Sequence, residues 1–129
     1  MKWSKYLPYF KEEEFKCPCC GKAEMSESFM DQLLKARIIA GVPFIITSGY
    51  RCEKHHAEIY DKMGKPVLPD SPHLEGVAAD ISVTKGNDRF VILGALIKAG
   101  FRRIGIGSNF IHVDRDVRTG KAQNTVWTY

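Results

Sequence analysis

Residues 71–80 read SPHLEGVAAD and place the imidazole of His73 seven positions before the carboxylate of Asp80. The apolar run that follows, residues 77–83, predicts a strand. A second imidazole lies in residues 110–114, FIHVD, where alternating side chains predict a strand with His112 and Asp114 on one face. Two imidazoles and a carboxylate are a common ligand set for catalytic zinc, with a fourth position left open. The sequence therefore predicts a fold that brings His73, Asp80 and His112 together as ligands of Zn²⁺.

Three motifs in this order resemble those of zinc peptidases that cut cell-wall peptides. They are SGYR at residues 48–51, S-x-H-x-x-G-x-A-x-D at residues 71–80 and H-x-D at residues 112–114. The resembled family includes D-Ala-D-Ala carboxypeptidases and L-alanyl-D-glutamate and related peptidoglycan endopeptidases, phage endolysins among them. Hedgehog signalling domains share its fold. The resemblance spans most of the chain and implies that His73, Asp80 and His112 bind the metal and that peptidoglycan stem peptides are the substrate.

Two residues near these motifs are candidates for substrate binding. Arg51 closes the SGYR motif, and a guanidinium can hold a carboxylate bidentately or stabilise an oxyanion. The resemblance implies such a role for Arg51. Ser71 lies two positions before His73. Its hydroxyl either forms a hydrogen bond to the substrate or to a ligand, or belongs to an ordinary turn.

The general base is the point at which this chain departs from the resembled pattern. Many members of the family carry Glu or Asp three positions before the second histidine, and here that position is Asn109, whose amide cannot take up a proton. Asp114 and Glu75 are therefore the candidate catalytic carboxylates. Asp114 could be the base or could orient an imidazole, and Glu75 lies between His73 and Asp80. The missing acid keeps open an alternative function, a zinc-containing cell-wall-binding module without turnover.

The length of 129 residues and the composition predict one soluble domain. We expect this domain to be a monomer. The net charge of +4 is mild, and no basic run with interleaved aromatic residues is present, so we expect no nucleic-acid partner. No apolar run reaches about 18 residues, and we expect no membrane partner. The first residues lack the apolar core of a signal peptide. The expectation is a protein made in the cytoplasm that acts on the cell wall and is phage- or prophage-encoded.

The order of predicted elements indicates an α+β domain, with a small, mostly antiparallel sheet and flanking helices. Residues 1–14 are predicted to be an N-terminal arm and residues 115–129 a C-terminal tail that adds an edge strand or docks aromatic side chains. The helix from Ser26 or Ser28 to Ala40 is predicted to bury Ile38 and Ile39. The other predicted helices are residues 53–63 and, capped by Asn87, residues 88–99; the predicted strands are residues 42–47 (buried), 77–83, 101–106 and 110–114.

Four cysteines, Cys17, Cys19, Cys20 and Cys52, allow three interpretations. All four thiols are free, or one of Cys17, Cys19 and Cys20 forms a disulfide with Cys52, or several thiolates bind a structural metal ion. Cysteine-rich segments of this kind also occur in relatives of the resembled family, which favours a structural role near Cys52 over a catalytic one. The neighbouring histidines 55 and 56 point about 100° apart on a helix and are not expected to chelate one ion.

Overall fold

Three α-helices form in the chain, and the computed structural model describes all residues from 1 to 129. Helix α1 spans Glu27–Ala40, α2 spans Glu53–Met63 and α3 spans Gly86–Lys98. The hydroxyl of Ser26 caps α1 by accepting a hydrogen bond from the backbone N–H of Phe29 at 3.4 Å. None of the helices has the length and apolar character needed to cross a membrane.

Five strands form one sheet in the order β1-β2-β4-β3-β5. Only β3 and β5 run parallel, and the other neighbours are antiparallel. This arrangement confirms the predicted α+β domain with a mostly antiparallel sheet and flanking helices. The strands are β1 (Ile45–Ser48), β2 (Ala78–Ser82), β3 (Arg103–Ile106), β4 (Phe110–Asp114) and β5 (Thr125–Thr128).

The two faces of the sheet have different roles. One face contributes buried aliphatic side chains to the core, which also contains residues of α1 and α3. On the other face, the strand register places five residues in a row across all five strands. Because side chains alternate along each strand, this row is separate from the core. The row consists of Ser48, Asp80, His112, Gly105 and Trp127.

The N-terminal arm belongs to the core. Residues Trp3–Tyr6 and Glu12–Phe15 form two short 3₁₀ helices. The side chains of Tyr6, Phe10 and Phe15 are fully buried in the same cluster as the side chains of α1. The arm therefore completes the hydrophobic core of the domain.

Three local predictions were wrong. Strand β1 is an edge strand, and Ile45 is 63% exposed, because it lies opposite Ser82 on the sheet face that points away from the core. Ile38 and Ile39 of α1 are also exposed, since the buried face of this helix runs through Phe29, Met30, Leu33 and Ala36. Helix α3 begins at Gly86, before the predicted cap, and has no side-chain cap.

Candidate metal centre

His73 lies in a tight turn that follows a proline. Its Nδ1 is 2.8 Å from the carbonyl oxygen of Gly49. A carbonyl can only accept, so Nδ1 carries the proton and Nε2 presents its lone pair. The turn closes at Gly76, which has a φ of 68° and lies so close to the carbonyl of Glu24 that a Cβ would collide with it. The glycine of the motif is therefore required by the backbone that positions His73.

Asp80 and His112 face each other directly across β2 and β4. The distance from Nδ1 of His112 to Oδ1 of Asp80 is 2.9 Å, and Nε2 of His73 lies 3.4 Å from the same oxygen. One ligand atom from each of the three residues lies within 4.8 Å of the others. The structure thus brings together the three side chains that the sequence predicted as metal ligands.

Asp114 holds the other nitrogen of His112. Its Oδ2 accepts from Nε2 of His112 at 2.7 Å. Its Oδ1 accepts from Nε of Arg103 at 2.7 Å and from the backbone N–H of Asp116 at 3.0 Å. Both carboxylate oxygens are therefore occupied, and the geometry is that of a carboxylate that fixes the orientation of an imidazole.

The environment shifts the pKa values of the three clustered residues in different directions. Burial lowers the pKa of His73, which favours the neutral ring that binds metals. Burial acts the same way on His112, but the hydrogen bonds to Asp114 and Asp80 outweigh it and raise the pKa of His112. Burial opposes ionisation of Asp80, yet the hydrogen bond from His112 and the nearby ring of His73 hold the pKa of Asp80 well below its ordinary range.

These residues fit a zinc ion by the chemistry of the donor set. Each imidazole has one nitrogen engaged by an oxygen acceptor, Gly49 or Asp114, and turns its other nitrogen toward Asp80. Such oxygen partners are the usual means of orienting histidines at metal sites. Two histidines and one carboxylate leave a position open for substrate or water.

Arg51 borders the cluster and is half-buried. Its Nε donates to Oγ of Ser48 at 3.1 Å, and its Nη2 lies 3.4 Å from Oδ2 of Asp80. Its backbone N–H also donates to the carbonyl of His73 at 3.2 Å. Burial lowers the pKa of Arg51, and the nearby carboxylate of Asp80 opposes this shift.

Ser71 lies in the turn before His73 and lines the pocket that opens above the three clustered residues. Its hydroxyl oxygen accepts a hydrogen bond from the backbone N–H of His73 at 3.3 Å. The hydroxyl proton is not used in that bond and can be donated to another group. Both the turn role and the substrate role predicted for Ser71 are compatible with this position.

Two other positions considered for the general base lie away from the cluster. Glu75 is exposed and pairs with Nη1 of Arg118 at 3.3 Å, and it does not line the pocket. Asn109 is exposed in the turn between β3 and β4, three positions before His112. In a continuous strand that spacing directs a side chain to the opposite face.

A pocket of about 770 Å³ opens above the cluster. Sequence reasoning did not identify several of its lining residues, because separate segments of the chain bring them together only in the folded structure. The indole of Trp127 lies 5.7 Å from the His112 ring, between ring centroids, and the Arg103 guanidinium lies 5.1 Å from the Trp127 ring. In the sequence, the aromatic residues of the C-terminal segment were the only feature that pointed to these contacts. The additional lining residues include Tyr60, Asp70, Arg103, Phe110, Lys121, Trp127 and Tyr129.

A buried two-histidine, one-carboxylate cluster at the floor of an open pocket is the kind of centre that metal-dependent hydrolases use. The model of the Peptidase M15 family matches residues 8–114, and the chain therefore belongs to this family of zinc-dependent metallopeptidases. The match contains all three predicted metal ligands together with Arg51 and Ser71. A comparison with curated proteins finds no match.

Proposed function

We propose that this protein is a zinc-dependent peptidase that hydrolyses peptidoglycan stem peptides, as a carboxypeptidase or an endopeptidase. The observation that carries the proposal is the convergence of His73, Asp80 and His112 at the floor of a pocket that also contains Arg51. Zinc held by these side chains supplies a Lewis acid that polarises a peptide carbonyl and makes a water molecule more acidic. Family membership supports the reaction class.

In this proposal Arg51 binds a carboxylate of the substrate or the oxyanion that develops at the scissile carbonyl. Its contacts with Asp80 and with Nδ1 of His56, at 3.4 and 3.5 Å, are at the long limit for hydrogen bonds. The guanidinium therefore retains donors that a closer oxyanion can use. The bond to Ser48 holds the side chain at the rim of the cluster, so little ordering is needed when a substrate arrives.

The rest of the pocket suits an anionic peptide. Besides Arg51, Lys65 adds positive charge to the lining, Arg103 and Lys121 balance the carboxylates of Asp114 and Asp70, and Tyr60, Trp127 and Tyr129 add aromatic walls. Stem peptides carry several carboxylates, which such cations attract. Aromatic walls exclude water from the polar floor and strengthen the electrostatic interactions there. We extend the proposal to an endolysin of phage or prophage origin that acts on the cell wall, which the resemblance and the mild positive charge support.

A second candidate function, binding of the cell wall without turnover, is favoured by a specific observation. Besides the candidate metal ligand Asp80, every carboxylate that lines the pocket is already engaged by other side chains. Both oxygens of Asp114 are used, and Asp70 pairs with Nζ of Lys121 at 3.1 Å. Hydrolysis would therefore have to proceed without a dedicated carboxylate base, at the cost of the roughly 10²–10⁴-fold that such a base contributes.

Digestion of purified sacculi distinguishes the two functions. We expect the zinc-loaded protein to release peptide fragments, a chelator to stop the release, and His73→Ala to abolish it. Glu75→Gln is the matched control and should remain active, since Glu75 lies outside the pocket. Mass spectrometry of products from defined muropeptides would identify the bond that is cut. Sedimentation with sacculi but no fragments from wild-type protein would establish the binding module.

Arg51 provides a more specific test of the substrate pocket. Arg51→Lys keeps the charge but loses the planar fork, and we expect it to lower kcat/KM by roughly 10-fold or more while zinc content stays the same. Arg51→Ala should lower kcat/KM further. Arg115→Ala, on the exposed surface just after β4, is the control for loss of an arginine. Unchanged hydrolysis in Arg51→Ala would remove Arg51 from the substrate-binding site.

A further inference from the structure

A second cluster of metal-binding side chains lies outside the histidine centre. The sulfur atoms of Cys17, Cys20 and Cys52 lie within 4.8 Å of one another, and those of Cys17 and Cys52 are 3.6 Å apart. These residues come from two segments that are 35 positions apart in the chain. Cys17 is fully buried, whereas Cys20 is exposed, so the cluster extends from the core to the surface.

The backbone around the cluster is arranged to stabilise negative charge on sulfur. Cys17 begins a tight turn in which the N–H of Gly21 donates to its carbonyl at 2.8 Å. The backbone N–H of Cys52 lies 3.5 Å from the sulfur of Cys17. The sulfur of Cys52 in turn accepts from the N–H of His55 and caps α2. Each of these two sulfurs thus faces a backbone N–H dipole, which favours the thiolate, the form that binds metals.

A fourth sulfur is available next to the cluster. Cys19 lies between Cys17 and Cys20 in the turn, and its thiol is exposed. Four thiolates in a closed shell are the usual ligands of structural zinc.

We propose that Cys17, Cys20 and Cys52, with Cys19 as the fourth donor, form a structural zinc site separate from the His73–Asp80–His112 centre. This site would join the segment that follows the N-terminal arm, residues 17–20, to the segment that follows β1. The N–H of Tyr50 already donates to the carbonyl of Phe15 at 3.0 Å, and Phe15 packs directly against Gly49. The carbonyl of Gly49 holds His73, so the cysteine site would support one ligand of the histidine centre from outside. The proposal does not depend on the substrate or on turnover.

Metal analysis of protein purified under reducing conditions, with zinc present throughout, tests the proposal. We expect about two zinc ions per chain in the wild type and about one in His73→Ala, which keeps the cysteine cluster. Cys52→Ser should also lose about one ion, and His73→Ala/Cys52→Ser should lose both. Cobalt substitution gives an independent readout, because thiolate ligands produce intense sulfur-to-cobalt charge-transfer bands. These bands should persist in His73→Ala and disappear in Cys52→Ser.

The cobalt spectrum of His73→Ala keeps the test decisive even where a cysteine variant does not fold. Absence of charge-transfer bands in both the wild type and His73→Ala would overturn the site. A zinc content of about one ion in the wild type that falls to none in His73→Ala would overturn it as well. So would a disulfide between Cys17 and Cys52 in protein prepared with zinc. Loss of hydrolysis without loss of the bands would concern the proposed peptidase activity alone.

Discussion

Asp114 illustrates how a single carboxylate can determine the properties of the histidine centre. The residue is 1% exposed, and its two oxygens accept from His112, Arg103 and the backbone of Asp116. Arg103 compensates the charge of the buried carboxylate, which makes its burial tolerable. With both oxygens engaged, the side chain is placed to orient the His112 ring and increase its basicity.

We predict that Asp114→Asn weakens zinc retention and hydrolysis together, by roughly 10–100-fold, because an amide no longer pairs with Arg103 or fixes the ring of His112. Excess zinc should restore part of the rate. Zinc titration alongside hydrolysis measures both effects. Glu75→Gln is the control carboxylate substitution and should change neither. If instead the rate collapsed in Glu75→Gln at full zinc occupancy, Glu75 would be the general base.

Zinc affinity should fall as the pH is lowered through the pKa of His112. Asp114 and Asp80 raise this pKa above its ordinary value of about 6.5, despite the opposing effect of burial. Above its pKa the ring is already neutral, whereas below it each zinc ion must displace about one proton. The zinc concentration that restores half of the hydrolysis, measured between about pH 5 and about pH 8, should rise toward acid. In Asp114→Asn the onset should move to lower pH, and a requirement independent of pH would contradict the assignment.

For single residues, the sequence predicts contacts within one motif, but it does not predict contacts between residues that only the fold brings together. Alternation in residues 110–114 correctly placed His112 and Asp114 on one face. The pairing of Asp114 with Arg103 depends on the register of β3 with β4, which no local pattern reveals. Likewise, Glu75 is near His73 in sequence, but the turn that closes at Gly76 leaves it exposed toward Arg118.

Among the elements, β5 matters most for the shape of the pocket. It pairs in parallel with β3, so that Trp127 lies opposite Gly105. The absence of a side chain at Gly105 lets the indole lie across the strand beside the His112 ring. Tyr129 continues along the same wall and packs against Phe110 at 5.2 Å between ring centroids.

We predict that Gly105→Ala displaces this wall. A Cβ at position 105 would lie 2.6 Å from Nε1 of Trp127 and 2.8 Å from a ring carbon of Tyr129, so the rings must shift. We expect a loss of about 1–3 kcal/mol in the free energy of unfolding and a raised KM, with zinc content unchanged. Chemical denaturation and steady-state kinetics measure these effects.

The control for this substitution is Gly94→Ala within α3, where a Cβ would meet nothing within 4 Å. Removing a glycine from a helix interior should stabilise the protein by about 0.5–1 kcal/mol and leave KM unchanged. Equal behaviour of the two alanine variants would show that the contact of Trp127 with Gly105 does not shape the pocket.

Elements with strong local signals were predicted well. The helix over residues 53–63 and the strand over residues 110–114 have the predicted bounds. The apolar run after Gly41 was assigned to a buried strand, yet β1 ends the sheet and exposes Ile45. Hydrophobicity identifies a strand, but its place in the sheet order depends on which other strands pair, and that is a property of the complete fold.

For the whole molecule, the N-terminal arm is as much a part of the fold as the sheet. Phe10 is fully buried and contacts the aromatic rings of Phe15 and Phe44, at centroid distances of 5.7 and 6.3 Å. Tyr6 donates from its hydroxyl to Asp31 of α1 at 2.8 Å. A charged, aromatic-rich terminal segment predicted contact with the domain, but composition alone could not show that these rings fill the centre.

We predict that Phe10→Ala lowers the free energy of unfolding by about 3–5 kcal/mol, because it leaves a cavity among aromatic side chains. That is a large part of the roughly 5–15 kcal/mol that stabilises a typical domain. Leu7→Ala, at a side chain 52% exposed in the same arm, should cost far less. Urea denaturation of both variants measures the difference, and equal small losses would show that the arm is dispensable. Phe10 packs on Phe15, which lies against Gly49, the residue that holds His73. Phe10→Ala should therefore release zinc from the histidine centre at lower urea concentrations than Leu7→Ala does.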